Sequence, residues 1–422
     1  MNQERRPKNE ERAPRVVIVG GGFGGLSAAR RLRHAPVRIT LLDRLNHHLF
    51  QPLLYQVATA ALSPGDIASP IRWILSAQQN VQVLMAEATS VDLERRVISL
   101  DRGELAYDYL IVATGARHAY FGHEEWQANA PGLKTLADAL EIRRRVLTAF
   151  EAAERETDPD ARRRLLTFVI VGGGPTGVEL AGALIEITRR TLAHDFRSIR
   201  PETARIILVE AASSILAAFP HTLQQAARRS LQRLGVELRE QTMVTGIDQG
   251  GVQIGADKVP SATVLWAAGV AASGLGRTLG VPLDKAGRVI VEGDLSVAGH
   301  PEVFVVGDLA AFLHQGGKPL PGVAQVAKQQ AAHAASNVVR RLRRQRTQPF
   351  HYRNYGNMAT IGRGAAVADF GWLRLSGYVA WLAWLFVHVM SLVGFRNRIA
   401  VFSEWAWAYL TEQRRVRLIT SR

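Results

Sequence analysis

The chain has 422 residues, 47% of them hydrophobic, which is enough to bury the cores of two or three domains and excludes an intrinsically disordered protein. Its formal net charge of +15 indicates an anionic partner, such as a lipid surface or a nucleic acid. The sequence contains no cysteine, which excludes disulfides, thiolate metal sites, iron–sulfur clusters and cysteine-based redox relays.

The first segment in chain order, residues 1–14, is polar and highly charged. It contains no apolar stretch of the kind that a secretory signal requires. We therefore expect a disordered leader, to which the residues themselves assign no function.

A first dinucleotide-binding fold is predicted directly after this leader. The apolar run RVVIV reads as a strand, and GGGFGG follows it with glycines at Gly20, Gly22 and Gly25. A helical pattern comes next, and then a second strand, VRITLLD, that ends at Asp43. Glycines at this spacing let the backbone approach a pyrophosphate at a helix N-terminus, and the acid accepts hydrogen bonds from a ribose.

Two histidines, His47 and His48, follow this fold. Adjacent residues on an extended chain point to opposite faces, and no acidic cluster or cysteine accompanies the pair. We expect no metal site here or elsewhere in the chain.

The same pattern recurs further along the chain. The strand TFVIV leads into GGGPTG, with glycines at Gly172, Gly174 and Gly177, and the later strand RIILVE ends at Glu210. A carboxylate at this position favours a free ribose 2′-hydroxyl and repels a 2′-phosphate. The second fold is therefore predicted to bind NADH.

Each fold also has a strand that ends in a turn of small residues. DYLIVATGA places Ala113, Thr114 and Gly115 after one strand, and TVLWAAGV places Ala268 and Gly269 after the other. Ligands bind at the carboxyl edge of open α/β sheets, so these turns are predicted to contact the two nucleotides.

A further strand, in VFVVGDLA, ends in Gly307 and Asp308. It places a carboxylate at the carboxyl edge of a sheet, where a ligand would bind. The alternative is that Asp308 only caps the segment that follows.

The stretch PLPGVAQVAKQQAA predicts a helix, on which Gln325 and Gln329 are four residues apart and share one face. Two neutral amides can donate hydrogen bonds to an acceptor that carries carbonyl groups. A solvated helix face explains the pair equally well.

The apolar stretch GYVAWLAWLFVHVMSLVGF, residues 377–395, contains no charged residue apart from His388, which lies in its middle. Its length nearly reaches that of a membrane span. Glycines at both ends, basic flanks and a concentration of tryptophan favour attachment to the membrane interface. A buried helix, a homodimer seam and a true span are the alternatives.

The order GGGFGG, ATG, GGGPTGVE, AAG and VGD resembles the glutathione-reductase-like flavoproteins. The resemblance implies an α/β fold with two Rossmann-like domains, the NADH domain inserted in the FAD domain. The implied domains are an FAD-binding domain at 15–118 and 275–350, an NADH-binding domain at 119–274, and a C-terminal membrane-associated region at 351–422. It also implies that Asp43 binds the adenosine ribose of FAD and that Asp308 lies near the ribityl chain.

Disulfide, peroxide and sulfide:quinone reductases of this group need a thiolate, which this chain lacks. AQVAKQQ, together with NHHLFQPLLYQVATAALSP and the C-terminal stretch GFRNRIAVFSEWAWAYLTEQRRVRLIT, is similar to the type II NADH dehydrogenases. This resemblance implies that Gln325 and Gln329 line a quinone site and that Ala324 contacts FAD. It further implies that the carboxylate of Glu179 lies near the flavin and the nicotinamide.

The predicted function is therefore that of a respiratory-chain flavoenzyme that passes electrons from NADH through FAD to a membrane quinone, without proton pumping. The resemblance implies monotopic attachment to the cytoplasmic face of the plasma membrane, where the basic and aromatic C-terminal region would meet anionic lipid. A homodimer is compatible with the sequence, and no motif indicates nucleic acid. The alternatives are an NADH-dependent ferredoxin or rubredoxin reductase, and a non-catalytic NADH sensor or membrane scaffold.

Overall fold

The computed structural model describes residues 13–317, 319–411 and 416–419. The expected leader, residues 1–14, lies almost entirely outside the described residues. The chain divides into two compact units. Unit 1 comprises the described residues of Met1–His48, Ser69–Arg117 and Val270–Asn354, and unit 2 those of Leu49–Ala68, His118–Gly269 and Tyr355–Arg422. Residues 49–68, which the sequence assigns to the FAD domain, are thus part of unit 2, as is the C-terminal region from Tyr355 onwards.

The elements are numbered along the whole chain. The described helices are α1 Phe23–Arg31, α2 Leu54–Ala58, α3 Pro64–Ile67, α4 Ile71–Ile74, α5 Leu136–Arg155, α6 Pro159–Leu165, α7 Pro175–Glu186, α8 His221–Leu234, α9 Leu275–Thr278, α10 Ala324–Leu342, α11 Tyr378–Ser391 and α12 Phe395–Thr411. The described strands are β1 Arg15–Val19, β2 Arg38–Asp43, β3 His47–Leu49, β4 Ala68–Pro70, β5 Val81–Met85, β6 Ala88–Asp92, β7 Val97–Leu100, β8 Glu104–Ala106, β9 Tyr109–Val112, β10 Ala116–His118, β11 Thr167–Val171, β12 Arg205–Val209, β13 Glu237–Arg239, β14 Val244–Asp248, β15 Gly251–Ile254, β16 Asp257–Pro260, β17 Thr263–Trp266, β18 Val270–Ala272, β19 Val289–Ile290, β20 Ser296–Val297, β21 His300–Val305, β22 Ala310–Ala311, β23 Asn357–Gly362, β24 Ala365–Asp369 and β25 Arg374–Gly377.

Unit 1 is built on a six-stranded sheet with the order β20-β21-β9-β1-β2-β5. β1 lies in its interior and pairs in parallel with both β2 and β9, so that Val17 is opposite Thr40 and Leu110. The β-branched residues of β1 are buried on both faces, as expected for a parallel strand between helical layers. α1 packs against α10, and the two helices contribute to the apolar core of this unit.

Unit 2 repeats the arrangement with the parallel sheet β13-β12-β11-β17, to which the antiparallel sheet β14-β15-β16 is added. A second antiparallel sheet, β23-β24-β25, packs against α7. The contact needs a glycine, because a Cβ atom at Gly182 would lie 1.7 Å from the Ile361 carbonyl oxygen. The two parallel sheets confirm the predicted α/β class with two Rossmann-like domains and a helical C-terminal region.

The apolar stretch at residues 377–395 forms α11, which has 14 residues and is followed by α12. A helix of this length rises about 21 Å, which is less than the thickness of a hydrocarbon core. Within the part of the chain that the structure describes, no helix is both long and apolar enough to cross a bilayer.

Candidate functional site

The first glycine loop joins β1 to α1 at the carboxyl edge of the unit 1 sheet. Gly20 has a φ of +106°, and a Cβ atom there would lie 2.4 Å from the Ala113 carbonyl oxygen. A Cβ atom at Gly25 would lie 1.7 Å from the oxygen of Gly20, so any larger residue would force the helix away from the strand. Gly22 faces open space, where the N–H groups at the N-terminus of α1 can receive a phosphate.

The two predicted ribose acids occupy equivalent positions in the two units. The Gly21 N–H donates to Oδ2 of Asp43 (2.6 Å), and the Gly173 N–H donates to Oε2 of Glu210 (2.5 Å). Each carboxylate also accepts an N–H two residues further along the chain. Each acid thus stabilises its glycine loop. Because a carboxylate offers about four acceptor positions, each acid can also accept hydrogen bonds from ribose hydroxyls.

The small-residue turns lie against the glycine loops, at the edge where they are predicted to contact the nucleotides. In unit 2, a Cβ atom at Gly172 would lie 2.6 Å from the nitrogen of Ala268. In unit 1, the hydroxyl of Thr114 is buried and has no hydrogen-bond partner among the residues that the structure describes. Buried hydroxyl groups nearly always have a hydrogen-bond partner, and a cofactor bound at this edge of the sheet would supply the one that Thr114 lacks.

Asp308 lies inside a short 3₁₀ turn, Gly307–Leu309, at the carboxyl end of β21, and the N-cap of this turn is Val306. The structure therefore does not support the alternative in which Asp308 acts only as a cap. The residue that holds this turn was not predicted from the sequence. Gln330 of α10 is fully buried, and its Oε1 accepts the Gly307 N–H at 2.7 Å.

The predicted quinone-site glutamines lie on the first turns of α10, where Ala324 begins the helix. Gln325 is half-buried. The side chain of Gln329 makes two hydrogen bonds to the main chain of Arg353: Nε2 donates to the carbonyl (2.9 Å), and Oε1 accepts the N–H (3.0 Å). Gln329 thus also anchors the segment that follows α10.

His48 and Lys328 add polar groups around the first glycine loop, and neither role was foreseen. His48 is 2% exposed, and its Nδ1 donates to the Gly21 carbonyl (3.1 Å). Burial lowers the pKa of His48 to about 4, so the ring stays neutral. The Lys328 ammonium lies 4.9 Å from the centre of the Phe23 ring, and burial lowers the pKa of this amine. A cation beside the loop suits an anionic pyrophosphate.

Unit 2 contains a cavity of about 880 Å³, including its mouth. It is lined by Tyr55, Gln56, Thr59, Ala61, Glu179, Ala183, Glu186, Arg190, Thr191, Thr360, Gly362, Arg363, Trp381, Trp384, Leu385 and Trp405. Four aromatic residues therefore form much of its wall. Because these residues come from distant parts of the chain, sequence spacing could not reveal the cavity.

Two acids line this cavity, Glu179 in the first half of α7 and Glu186 at its end. Burial raises the pKa of the Glu179 carboxyl group to about 8, although the Thr360 main-chain N–H donates to it. At neutral pH the side chain is therefore mainly protonated and can donate a proton.

Hydrogen bonds tie the aromatic wall to α2. Nε1 of Trp405 on α12 donates to Oε1 of Gln56 (2.7 Å), and Nε2 of Gln56 donates to the Tyr55 hydroxyl (2.9 Å). Trp384 on α11 is 2% exposed and packs at 5.5 Å, centre to centre, from Trp405. The wall is thus held in place by a continuous set of contacts within unit 2.

Comparison with known proteins gives matches along nearly the whole chain. Residues 14–331 match the family model of the pyridine nucleotide-disulphide oxidoreductases, and residues 355–413 match that of the NDH2 C-terminal domain. The chain is 48% identical to the type II NADH:quinone oxidoreductase NdhA of Mycobacterium tuberculosis, over 96% of this chain and 89% of that protein. It is 31% identical to the demethylphylloquinone reductase NdbB of Synechocystis sp., over 93% of this chain and 95% of that protein.

Solved structures share the fold. NDH2 from Plasmodium falciparum in complex with NADH has a TM-score of 0.89 at 20% identity, covering 97% of this chain and 100% of that one. The ferredoxin reductase of the CYP199A2 system from Rhodopseudomonas palustris has a TM-score of 0.67 at 19% identity, covering 84% of this chain and 81% of that one. These identities support the fold alone.

Proposed function

Because the chain belongs to the type II NADH:quinone oxidoreductase family, we propose that it transfers electrons from NADH through FAD to a membrane quinone, without proton pumping. The family agrees with the resemblance predicted from GGGFGG, GGGPTGVE and AQVAKQQ. It disfavours the ferredoxin or rubredoxin reductase, since the close relatives also span the C-terminal region that such reductases would not need.

When bound, FAD would supply the two-electron redox chemistry between NADH and the quinone. The residues of unit 1 suit it: the loop at Gly20, Gly22 and Gly25 receives the pyrophosphate, and Asp43 receives the adenosine ribose. Ala113, Thr114, Gly115, Asp308 and Ala324 complete the proposed set of FAD-binding residues. The orphaned Thr114 hydroxyl supports this assignment.

NADH is proposed to bind unit 2. The loop at Gly172, Gly174 and Gly177 receives its pyrophosphate, Glu210 accepts from its adenosine ribose, and the turn at Ala268 and Gly269 lies beside the loop. The equivalent geometries of Glu210 and Asp43 support this assignment, because the same hydrogen bond from a glycine-loop N–H to a carboxylate occurs in both nucleotide folds.

The quinone is proposed to enter the cavity of unit 2, and this cavity is the observation on which the proposed reaction rests. Aromatic walls suit a planar ring, and quinone reduction consumes two protons. Glu179 holds a proton at neutral pH and would donate it as the quinone oxygen becomes negative. Gln325 and Gln329 lie in unit 1 and do not line this cavity, so their place in a quinone site stays a prediction from the resemblance.

Attachment to a membrane is proposed for α11 and α12. Tyr378, Leu382, Phe386 and Met390 recur every four residues on α11 and are all exposed, which makes one apolar face. Phe395, Ile399 and Phe402 extend this exposed surface on α12. Such a surface suits the interface of a lipid leaflet. The cytoplasmic side of the membrane is a further proposal that rests on the resemblance, and a homodimer stays an alternative that the apolar tail allows.

The test is steady-state NADH oxidation by the purified holoenzyme with a short-chain quinone, and in parallel with ferredoxin. We expect rapid quinone reduction and little ferredoxin reduction. Faster ferredoxin reduction would favour the reductase alternative. Negligible turnover with both acceptors would favour a sensor or scaffold.

A further inference from the structure

Phe121 lies in the segment that precedes the second nucleotide fold, and its ring covers Gly269. A Cβ atom added to Gly269 would lie 2.3 Å from Cζ of Phe121, so the ring rests directly on this glycine. The neighbouring Trp266 ring is 6.2 Å away, centre to centre. Phe121 is nevertheless 70% exposed, so the tip of its ring contacts the glycine while most of the residue is open to solvent.

The backbone at Phe121 has a strained conformation. Phe121 has a φ of +55°, in the left-handed region that non-glycine residues rarely adopt. The segment is held there by its neighbours, because Tyr120 is buried and stacks on Trp266 at 5.0 Å. Nε1 of Trp266 also donates to the Ala119 carbonyl (2.9 Å). A strained backbone with an exposed aromatic ring contributes little to folding, which points to a ligand.

The sheet order indicates which part of the ligand the ring would meet. In the order β13-β12-β11-β17, the glycine loop follows β11 and Glu210 follows β12. The adenosine half of a dinucleotide therefore lies on the β12 side of the loop, and the nicotinamide half crosses to the β17 side. Gly269 and Phe121 lie at the carboxyl end of β17.

We infer that Phe121 stacks against the nicotinamide half of bound NADH and contributes to its affinity and position. The inference rests on the proposed binding of NADH to unit 2. The nicotinamide is a flat aromatic ring, and offset or edge contacts between such rings are favourable. Gly269 is suited to this role, since any side chain there would displace the Phe121 ring.

The test compares two probes, NAD⁺ and ADP-ribose, by titration calorimetry on the FAD-loaded protein. ADP-ribose lacks the nicotinamide and keeps everything else that the nucleotide fold binds. For Phe121→Ala we expect the Kd for NAD⁺ to rise about three- to tenfold, and the Kd for ADP-ribose to stay unchanged. Phe121→Tyr keeps the ring and should bind both probes as the wild type does.

Two controls separate the ways in which the inference can fail. Glu210→Gln should weaken both probes alike; if it weakens neither, the proposed NADH site is wrong. Unchanged NAD⁺ binding in Phe121→Ala, or equal weakening of both probes, would overturn the role of Phe121 alone. Phe121→Gly removes the strained φ, so its unfolding temperature should equal or exceed that of the wild type while NAD⁺ binding weakens. A large drop in unfolding temperature would instead identify the ring as structural packing.

Discussion

Two carboxylates, Asp43 and Glu210, show how one residue can serve both fold and ligand. Each accepts a main-chain N–H from its own glycine loop, which keeps the loop in the shape that a pyrophosphate needs. Each also retains free acceptor positions. In the proposed NADH site, the charge on Glu210 would attract ribose hydroxyls and repel a 2′-phosphate.

Replacing Glu210 with Gln should reduce the preference for NADH over NADPH about tenfold, because the amide no longer repels a 2′-phosphate. The measurement is the ratio of kcat/KM for the two nucleotides with one quinone. The matched control is Asp43→Asn in unit 1, which should weaken FAD retention and leave the ratio unchanged. An unchanged ratio in the Glu210 variant would refute the ribose assignment.

Glu179 leads to a prediction about pH. Its carboxyl group has a pKa of about 8, so it is protonated below that value and loses the proton as pH rises through it. Quinone reduction should therefore decline above pH 8 in the wild type. Glu179→Gln should be slower by about 10²-fold and lose this decline, as measured by single-turnover reoxidation of the reduced enzyme by quinone. The same decline in the variant would assign the titration to another group.

The pH dependence of folding stability should also depend on Glu179. A carboxyl group whose pKa is raised on folding binds its proton more tightly in the native state, so it stabilises the fold at low pH relative to high pH. The unfolding temperature of Glu179→Gln, compared with that of the wild type, should therefore improve from pH 5 to about pH 8 and level off above it. Thermal unfolding at several pH values measures this, and a difference that does not change with pH would contradict a buried, protonated Glu179.

At the scale of elements, α11 combines two opposite environments. Ala380 and Trp384 face the interior, whereas Leu382 and Phe386 belong to the exposed apolar face. The apolar face leaves surface exposed to water that a lipid leaflet can cover. The same helix therefore both lines the cavity and offers a surface to a membrane.

The double variant Leu382→Ser, Phe386→Ser should bind lipid vesicles at least tenfold more weakly, because two large side chains no longer enter the leaflet. Vesicle co-sedimentation measures this binding. Met243→Ser is the control, since Met243 is a large apolar residue exposed on unit 2 that belongs to neither α11 nor α12. Equal binding by wild type and double variant would show that α11 does not contact lipid.

At the scale of the whole molecule, the net charge of +15 complements an anionic leaflet. One arginine cluster lies at residues 340–346 in unit 1. The sequence has a second cluster, Arg414, Arg415 and Arg417, of which Arg417 alone is among the described residues. Charge acts over a Debye length of about 8 Å at physiological salt, so it assists an apolar contact without replacing it.

Binding to vesicles with anionic lipid should therefore fall about tenfold or more between 50 mM and 500 mM salt, while weaker binding to neutral vesicles changes little. Co-sedimentation with both vesicle types at both salt concentrations gives the result. Equal binding to neutral and anionic vesicles would assign attachment to the apolar helices alone.

The sequence by itself determined the two nucleotide folds, their acids and the family. Each fold is a contiguous run of strand, glycine turn, helix and strand, whose hydrogen bonds and steric limits are local. Such patterns can therefore be recognised without knowledge of the rest of the chain. The apolar stretch near the C-terminus could be recognised for the same reason. The length of its helix, 14 residues, was given only by the structure.

The tertiary structure decided the remainder. Glu179, Thr360 and Trp405 meet at one cavity only because β23 packs on α7 and α12 bonds to α2. Gln330 could not be distinguished from its neighbour Gln329 in the sequence, because its hydrogen bond to the Gly307 N–H depends on how α10 packs. The pKa of Glu179 and the presentation of Phe121 likewise depend on burial and on neighbours distant in sequence. Long-range packing of this kind leaves no periodic trace along a chain.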